Sequence, residues 1–90
     1  MEQDGIGAFL RARRERTRLA DVGLVPRGRR LVSGLRRDEV AMLAGISLSH
    51  YIRLEQDRSP HVPDEVLDKL TEGLGLDDSE RAQLHAIARS

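Results

Sequence analysis

The number and spacing of the arginines are the clearest indication of binding chemistry in this sequence. Ten arginines lie between Met1 and Arg37 against four carboxylates, so this part carries six excess positive charges, although the 90-residue chain as a whole is neutral. A guanidinium is a planar fork that matches phosphate oxygens. A chain divided in this way can place its basic side on a polyanion while its acidic side faces solvent or another protein. The alternative, a solvated face without a partner, stays open on charge alone.

The densest basic cluster consists of Arg27, Arg29 and Arg30. It lies in the segment LADVGLVPRGRRLVSG, which has three glycines and one proline and predicts a long basic loop over about 19–34. Leu19, Val22 and Leu24 are expected to hold this loop against the core. On a duplex, the cluster would bind phosphates beside whichever helix reads the bases, or enter a minor groove. A flexible, solvated loop explains the same composition equally well.

Several other classes of function lack their required residues. There is no cysteine, no nucleophile beside a base, no convergent carboxylate pair and no glycine-rich phosphate loop, so we expect neither an enzyme nor a cofactor. The histidines at 50, 61 and 85 have no ligand partners at suitable spacing, so no metal site is expected. The acidic N-terminus lacks the features of a signal peptide, and no apolar stretch could span a membrane; we therefore expect a cytoplasmic protein.

Aromatic content narrows the kind of nucleic acid. Phe9 and Tyr51 are the only aromatic residues among Phe, Trp and Tyr. Proteins that bind single strands usually stack bases on aromatic side chains. Duplex DNA requires no such platform, so it is the polyanion that this composition favours.

The elements that must position these residues are helices. Apolar residues recur at helical spacing in five segments, and no segment predicts a strand. Ser47 is placed to cap the third helix, and Asp77 with Glu80 has the spacing of a capping box before the fifth. Gly75 is the predicted left-handed residue after the fourth helix. The predicted spans are about 6–18, 36–44, 47–56, 63–74 and from 78 onward.

The segment LRRDEVAMLAGISLSHYIRLEQ, residues 35–56, has the layout of a helix-turn-helix. Ala41 provides a small side chain where two helices cross, and Gly45 can take the positive φ of the sharp turn. One face is predicted to be buried, comprising Val40, Ala44, Ile46, Tyr51 and Leu54. The opposite face of the third helix is predicted to be exposed toward a major groove, comprising Leu48, Ser49, His50, Ile52 and Arg53.

The sequence of residues 35–56 resembles that of the xenobiotic-response-element (XRE) family of phage-repressor-like regulators. Together with the DVGLVPRGRR loop, GLRRDEVAMLAGISLSHYIRLEQ is similar to the MmyB-like branch of that family, and the resemblance covers essentially the whole chain. It implies an all-α, five-helix lambda-repressor-like domain over residues 1–90, with the long basic loop between helices 1 and 2. In that branch a larger ligand-sensing domain normally follows. We expect that domain to be absent from these residues, since LHAIARS is similar to the entrance to a linker.

The resemblance implies that Leu48, Ser49 and Arg53 read base edges, and His50 is expected to contact the groove beside them. Arg53 could donate two hydrogen bonds to guanine O6 and N7, and Leu48 could contact a thymine methyl group. The alternative for Arg53 is a surface ion pair with Glu55 or Asp57.

More residues are predicted to contact the DNA backbone than to read the bases. Arg37 occupies the position where the family usually has a glutamine that grips a phosphate and braces the recognition helix. Asp57 replaces the family's usual glycine; it tolerates the left-handed turn, but its carboxylate should weaken binding somewhat. The predicted phosphate ligands are Arg27, Arg29, Arg30, Arg36, Arg37, Ser47 and Arg58.

Arg14 and Glu55 match a pair that ties helix 3 to helix 1 in phage repressors. The resemblance therefore implies a partly buried ion pair that fixes the recognition helix. The resulting hypothesis is a transcriptional regulator that reads double-stranded DNA as a homodimer, with any effector or partner acting through the absent C-terminal domain. The alternative is a protein-interaction module, such as an antitoxin or anti-regulator, that uses the acidic, leucine-rich helices 4 and 5.

Overall fold

The computed structural model describes residues 5–25, 28, 30 and 33–90. Over these residues the chain forms five α-helices and no strand, which confirms the predicted fold class. None of the described helices is both long and apolar enough to cross a membrane. The helices are α1 (Ile6–Arg16), α2 (Arg37–Ala44), α3 (Leu48–Glu55), α4 (Asp64–Leu74) and α5 (Asp78–Arg89).

The predicted boundaries differ from the observed ones by one or two residues. Helix α1 ends at Arg16 rather than at 18, because Thr17 has extended backbone and donates its hydroxyl to the carbonyl of Arg13 at 2.7 Å. A 3-10 turn, Leu19–Val22, follows inside the segment that was predicted to be entirely loop. Leu19 is buried, and Val22 and Leu24 pack against the core, as expected.

The core lies where the helices cross. Helix α2 packs mainly on α4 and also on α3, α1 packs on α3 and α5, and α4 packs on α5. Burying this many branched side chains is the main stabilising contribution, at roughly 1.5–3 kcal/mol for each. The fully buried side chains are Tyr51, Leu10, Leu35, Leu54, Leu67, Leu70, Leu74, Leu84 and Val40.

The turn between α2 and α3 has the predicted chemistry. Gly45 adopts a φ of 71°, in the left-handed region, where a side chain would be strained. The Oγ of Ser47 accepts a hydrogen bond from the backbone N–H of His50 at 3.1 Å, so it caps α3. These two residues set the direction in which α3 leaves α2.

Helix α5 also begins as predicted. Asp77 Oδ1 accepts from the N–H of Glu80 at 2.8 Å, and Glu80 Oε1 accepts from the N–H of Asp77 at 3.0 Å. Glu80 also pairs with Arg13 at 3.1 Å, which ties the start of α5 to α1. Gly75 takes the left-handed conformation after α4. Together these contacts fix the corner at which α4 and α5 support the helix-turn-helix.

Candidate nucleic-acid interface

Helix α3 presents one buried and one exposed face. Tyr51, Leu54 and Glu55 are buried, whereas Ser49 and Arg53 are exposed on the opposite side. Leu48, in the first turn, is 44% exposed. These three exposed positions are the predicted base-reading residues. They share one surface, and their role in reading DNA stays a prediction.

Two residues that were predicted to be exposed on this face are only partly exposed. His50 and Ile52 are half-buried at the margins of the exposed face, so neither lies at its centre. Gln56, directly after the helix, is exposed. Sequence reasoning missed Gln56, although its spacing of seven residues from Ser49 puts it on the same helical face. Its amide can both donate and accept hydrogen bonds at a base edge.

The Arg53 guanidinium makes no hydrogen bond or ion pair with the described residues. No ion pair within 4.0 Å links it to any carboxylate of the described residues. Its two sequence neighbours with carboxylates bond elsewhere: Glu55 to arginines and Asp57 to Gly7. The alternative of a surface pair with either carboxylate is therefore not what the structure contains.

The buried carboxylate of Glu55 is surrounded by arginines. Arg14 donates to both of its oxygens, from Nε and from Nη2, each at 2.9 Å, and Arg14 Nη1 also donates to the carbonyl of Leu35. Arg37 Nε donates to Oε1 at 3.1 Å, and Arg11 Nε lies 3.7 Å from the same oxygen. One carboxylate of α3 is thus bonded to α1 and to the first residue of α2.

The pKa values of Glu55 and Arg14 are shifted in the directions that keep both groups charged. Burial alone would raise the pKa of Glu55, but the hydrogen bonds from Arg14 and the nearby charge of Arg37 outweigh it and hold that pKa below its ordinary value. The same hydrogen bond raises the pKa of Arg14. Burial raises the pKa of Tyr51, whose hydroxyl lies beside the pair. Glu55 is therefore ionised at neutral pH and acts as the anchor of the cluster.

Arg37 joins α2 to the end of α3. Its Nε donates to Glu55, and about half of its side chain stays exposed to solvent, so its predicted contact with a phosphate stays a prediction. Arg36 is also exposed, although Asp38 and Glu39 lie 3.6 Å from its guanidinium. Ser47 and Arg58 are exposed at the two ends of α3. All of these residues are exposed near α3, and their binding of a DNA backbone stays a prediction.

Asp57 has a structural role that the sequence did not reveal. Its φ of 57° confirms that it tolerates the left-handed turn. Its Oδ1 accepts a hydrogen bond from the backbone N–H of Gly7 at 2.9 Å. Helix α1 has no side-chain cap of its own, because its N-cap residue is Gly5. The carboxylate therefore caps α1 from a distance of 50 residues, at the positive end of the helix dipole.

Arg30, predicted from the sequence to bind a phosphate, is bonded within the protein in this structure, and its phosphate role stays a prediction. Its side chain is only 15% exposed and donates two hydrogen bonds to Glu39, at 3.0 and 2.8 Å, and one to the carbonyl of Gly34. The pKa of Glu39 is lowered, chiefly by this bond. Arg30 thus fastens the basic loop to α2. The other members of its cluster, Arg27 and Arg29, lie outside the described residues.

Replacing Arg30 with alanine is expected to lower Tm by several degrees and to leave DNA affinity unchanged, because the guanidinium binds Glu39 and not solvent. Glu39→Ala is the matched control: it removes the other half of the pair and should lower Tm similarly, and the double variant should add little. Thermal melting and duplex titration check both. A loss of affinity at unchanged Tm would instead support the phosphate assignment.

Two aspartates of α4, Asp64 and Asp68, are bonded within the protein. Asp68 accepts from Arg81 at 2.9 Å and lies 3.2 Å from the His85 ring, and Arg89 pairs with Asp64 at 3.3 Å. The pKa of Asp68 is lowered, first by Arg81. Carboxylates satisfied in this way support the packing of α4 on α5, and they give no specific support to a protein-binding role for this face.

A family model described as a helix-turn-helix domain matches residues 6–84. The match includes all of α1–α4 and the first half of α5. No curated protein and no solved structure matches this chain.

Proposed function

The chain belongs to the helix-turn-helix domain family, and from that premise we propose that it binds duplex DNA sequence-specifically and regulates transcription. Helix α3 enters the major groove, with Leu48, Ser49 and Arg53 toward the base edges. The observation that carries this proposal is the exposed, uncommitted guanidinium of Arg53 on a helix whose opposite face is buried.

The groove geometry supports this arrangement. An α-helix with its side chains is about 10–12 Å across, and the major groove is about 12 Å wide. The exposed face of α3 is therefore the part that reaches the bases, and its flanks meet the phosphates. Arg36, Arg37, Ser47 and Arg58 lie on or near those flanks and bind the backbone.

The protein binds as a homodimer. Helix α3 has eight residues and so extends about 12 Å, which covers only a few base pairs. Two copies, each on a half-site about 34 Å from the other, double that readout and require a roughly palindromic operator. Within the family we assign the chain to the MmyB-like branch of the XRE regulators, because of the similarity of residues 34–56 and of the long basic loop.

Replacing Arg53 with alanine is expected to cost about 1–3 kcal/mol of binding to a duplex selected from a random library, and to relax specificity at one position. The reason is the loss of a bidentate contact to guanine. Arg53→Lys keeps the charge but not the planar fork, so it should retain non-specific affinity and lose most of the discrimination.

Fluorescence titrations of the wild type and both variants against the selected and a scrambled duplex check this result. Equal, negligible effects on the two duplexes would rule out groove reading by α3. A similar loss on both duplexes in Arg53→Ala would instead make Arg53 a phosphate contact.

A further inference from the structure

The cluster around Glu55 has more positive charge than its carboxylate can neutralise. Three guanidinium groups lie within 4.0 Å of one Glu55 oxygen, which leaves an excess of two positive charges. Arg14 is buried, and its three nitrogens are all bonded within the protein. The excess charge therefore belongs to Arg11 and Arg37, whose side chains are 55% and 49% exposed.

Arg11 and Arg37 both lie beside the Glu55 carboxylate, but at different distances. Arg37 Nε donates a hydrogen bond to Oε1 at 3.1 Å, whereas Arg11 Nε lies 3.7 Å from the same oxygen, which is an ion-pair distance too long for a hydrogen bond. Among the described residues, neither has a partner for its two terminal nitrogens. Because Nε is the atom that meets the carboxylate in both side chains, the two terminal nitrogens of each remain available to phosphate oxygens, which match the planar fork of a guanidinium.

The location of this pair is also informative. Glu55 is the last residue of α3, so Arg11 from α1 and Arg37 from α2 lie at a flank of the recognition helix near its C-terminal end. A group beside a helix that fills the major groove meets the sugar-phosphate wall and not the bases. Two cations so close together repel each other, and a shared anion relieves that repulsion.

We propose that Arg11 and Arg37 together bind a single phosphate group of the DNA backbone, with buried Glu55 orienting both. The inference rests on the proposed function, since its ligand is duplex DNA, and it adds α1 to the DNA-binding surface. Glu55 then has two roles: it ties α3 to α1 through Arg14, and it sets the spacing of the two-arginine clamp.

The salt dependence of binding to a non-specific duplex tests the clamp, because phosphate contacts do not depend on sequence. The logarithm of the binding constant falls with the logarithm of salt concentration by about 0.9 for each phosphate neutralised. Arg11→Ala and Arg37→Ala should each lower affinity roughly tenfold, the effect of losing about one charge-assisted hydrogen bond. Because one phosphate is shared, the double variant should reduce the salt slope by about 0.9 and not about 1.8.

Arg81→Ala is the matched control, since it removes the same charge from α5, and it should leave the slope unchanged. Cooperative thermal unfolding well above the assay temperature shows that the Arg11 and Arg37 variants are folded, even where the loss of the Arg37–Glu55 bond lowers Tm. An unchanged slope and affinity in Arg11→Ala would overturn the clamp while the proposed function stands. A reduction near 1.8 in the double variant would mean two separate phosphates and would also overturn it.

A wild type that binds no duplex at low salt would overturn the proposed function and, with it, the clamp as a DNA site. A titration with inorganic phosphate, followed through the arginine Nε–H resonances, separates the two sources of phosphate. Shifts at Arg11 and Arg37 without duplex binding would identify a free-anion site and contradict the clamp.

Discussion

Replacing Glu55 with alanine is expected to destabilise the domain by about 3–5 kcal/mol, the cost of leaving a buried charge without its partner. Arg14 is only 7% exposed and would lose both of its bonds to the carboxylate. Arg11 and Arg37 would also face each other without the intervening negative charge. Because a small domain is stable by roughly 5–15 kcal/mol, much of the protein would be unfolded at moderate temperature.

Thermal melting measures this effect, at roughly 4–8 °C for each kcal/mol in a domain of this size. Glu65→Ala, which removes an exposed carboxylate from α4, is the control and should melt like the wild type. A double variant, Arg14→Met with Glu55→Leu, should recover much of the loss, because it leaves neither charge of that pair buried. Full stability in Glu55→Ala would remove the claim that this pair holds α3 in place.

The same pair predicts a pH dependence. The pKa of Glu55 is lower in the folded than in the unfolded protein, so its contribution to stability is complete above the unfolded pKa of about 4.3 and is lost as the pH falls through the folded pKa. Wild type and Glu55→Gln should therefore differ most near neutral pH and approach each other in acid.

Replacing Gly7 with alanine should destabilise the domain by about 1–3 kcal/mol, although alanine is the better helix former. A Cβ at this position would lie 2.3 Å from the carbonyl oxygen of Glu55 and 2.7 Å from Oδ2 of Asp57. Overpacking of this kind typically costs about 1–3 kcal/mol, and losing the Asp57 cap adds about 1 kcal/mol. The gain in helix propensity, about 1 kcal/mol, offsets only part of this.

Ala8→Gly is the matched control, because Ala8 is the next residue of α1 and is exposed. There alanine should be the more stable residue by about 1 kcal/mol, the reverse of the order at Gly7. Urea unfolding of the two pairs gives both differences. If Gly7→Ala proved as stable as the wild type, the close approach of α1 to the end of α3 would be refuted.

The helix-turn-helix could be located from the sequence because its signals are local. Ser47 caps the N–H three residues away, Asp77 and Glu80 form a capping box at the same spacing, and Gly45 supplies the positive φ. Such patterns depend on a few neighbouring residues, so they survive without knowledge of the fold. The Arg14–Glu55 contact spans 41 residues and was expected only through the family resemblance.

The features that the sequence did not predict depend on contacts between distant segments. The capping of Gly7 by Asp57 joins the first helix to the end of the third, and nothing within α1 indicates it. Arg30 is an arginine in a basic cluster, which is typical of a phosphate ligand, but the fold places it beside Glu39. Gly73 allows the backbones of α4 and α2 to approach closely, since a Cβ there would lie 2.9 Å from the backbone nitrogen of Ala44. Charge and spacing alone do not distinguish a free arginine from one engaged in an ion pair.

Selection of the wild-type protein against a random-sequence duplex library tests the central claim most directly. If α3 reads the major groove in a homodimer, a single consensus should emerge, with two inverted half-sites whose centres lie about 34 Å, or roughly one helical turn, apart. A selected pool with no enriched sequence would contradict sequence-specific binding by this domain.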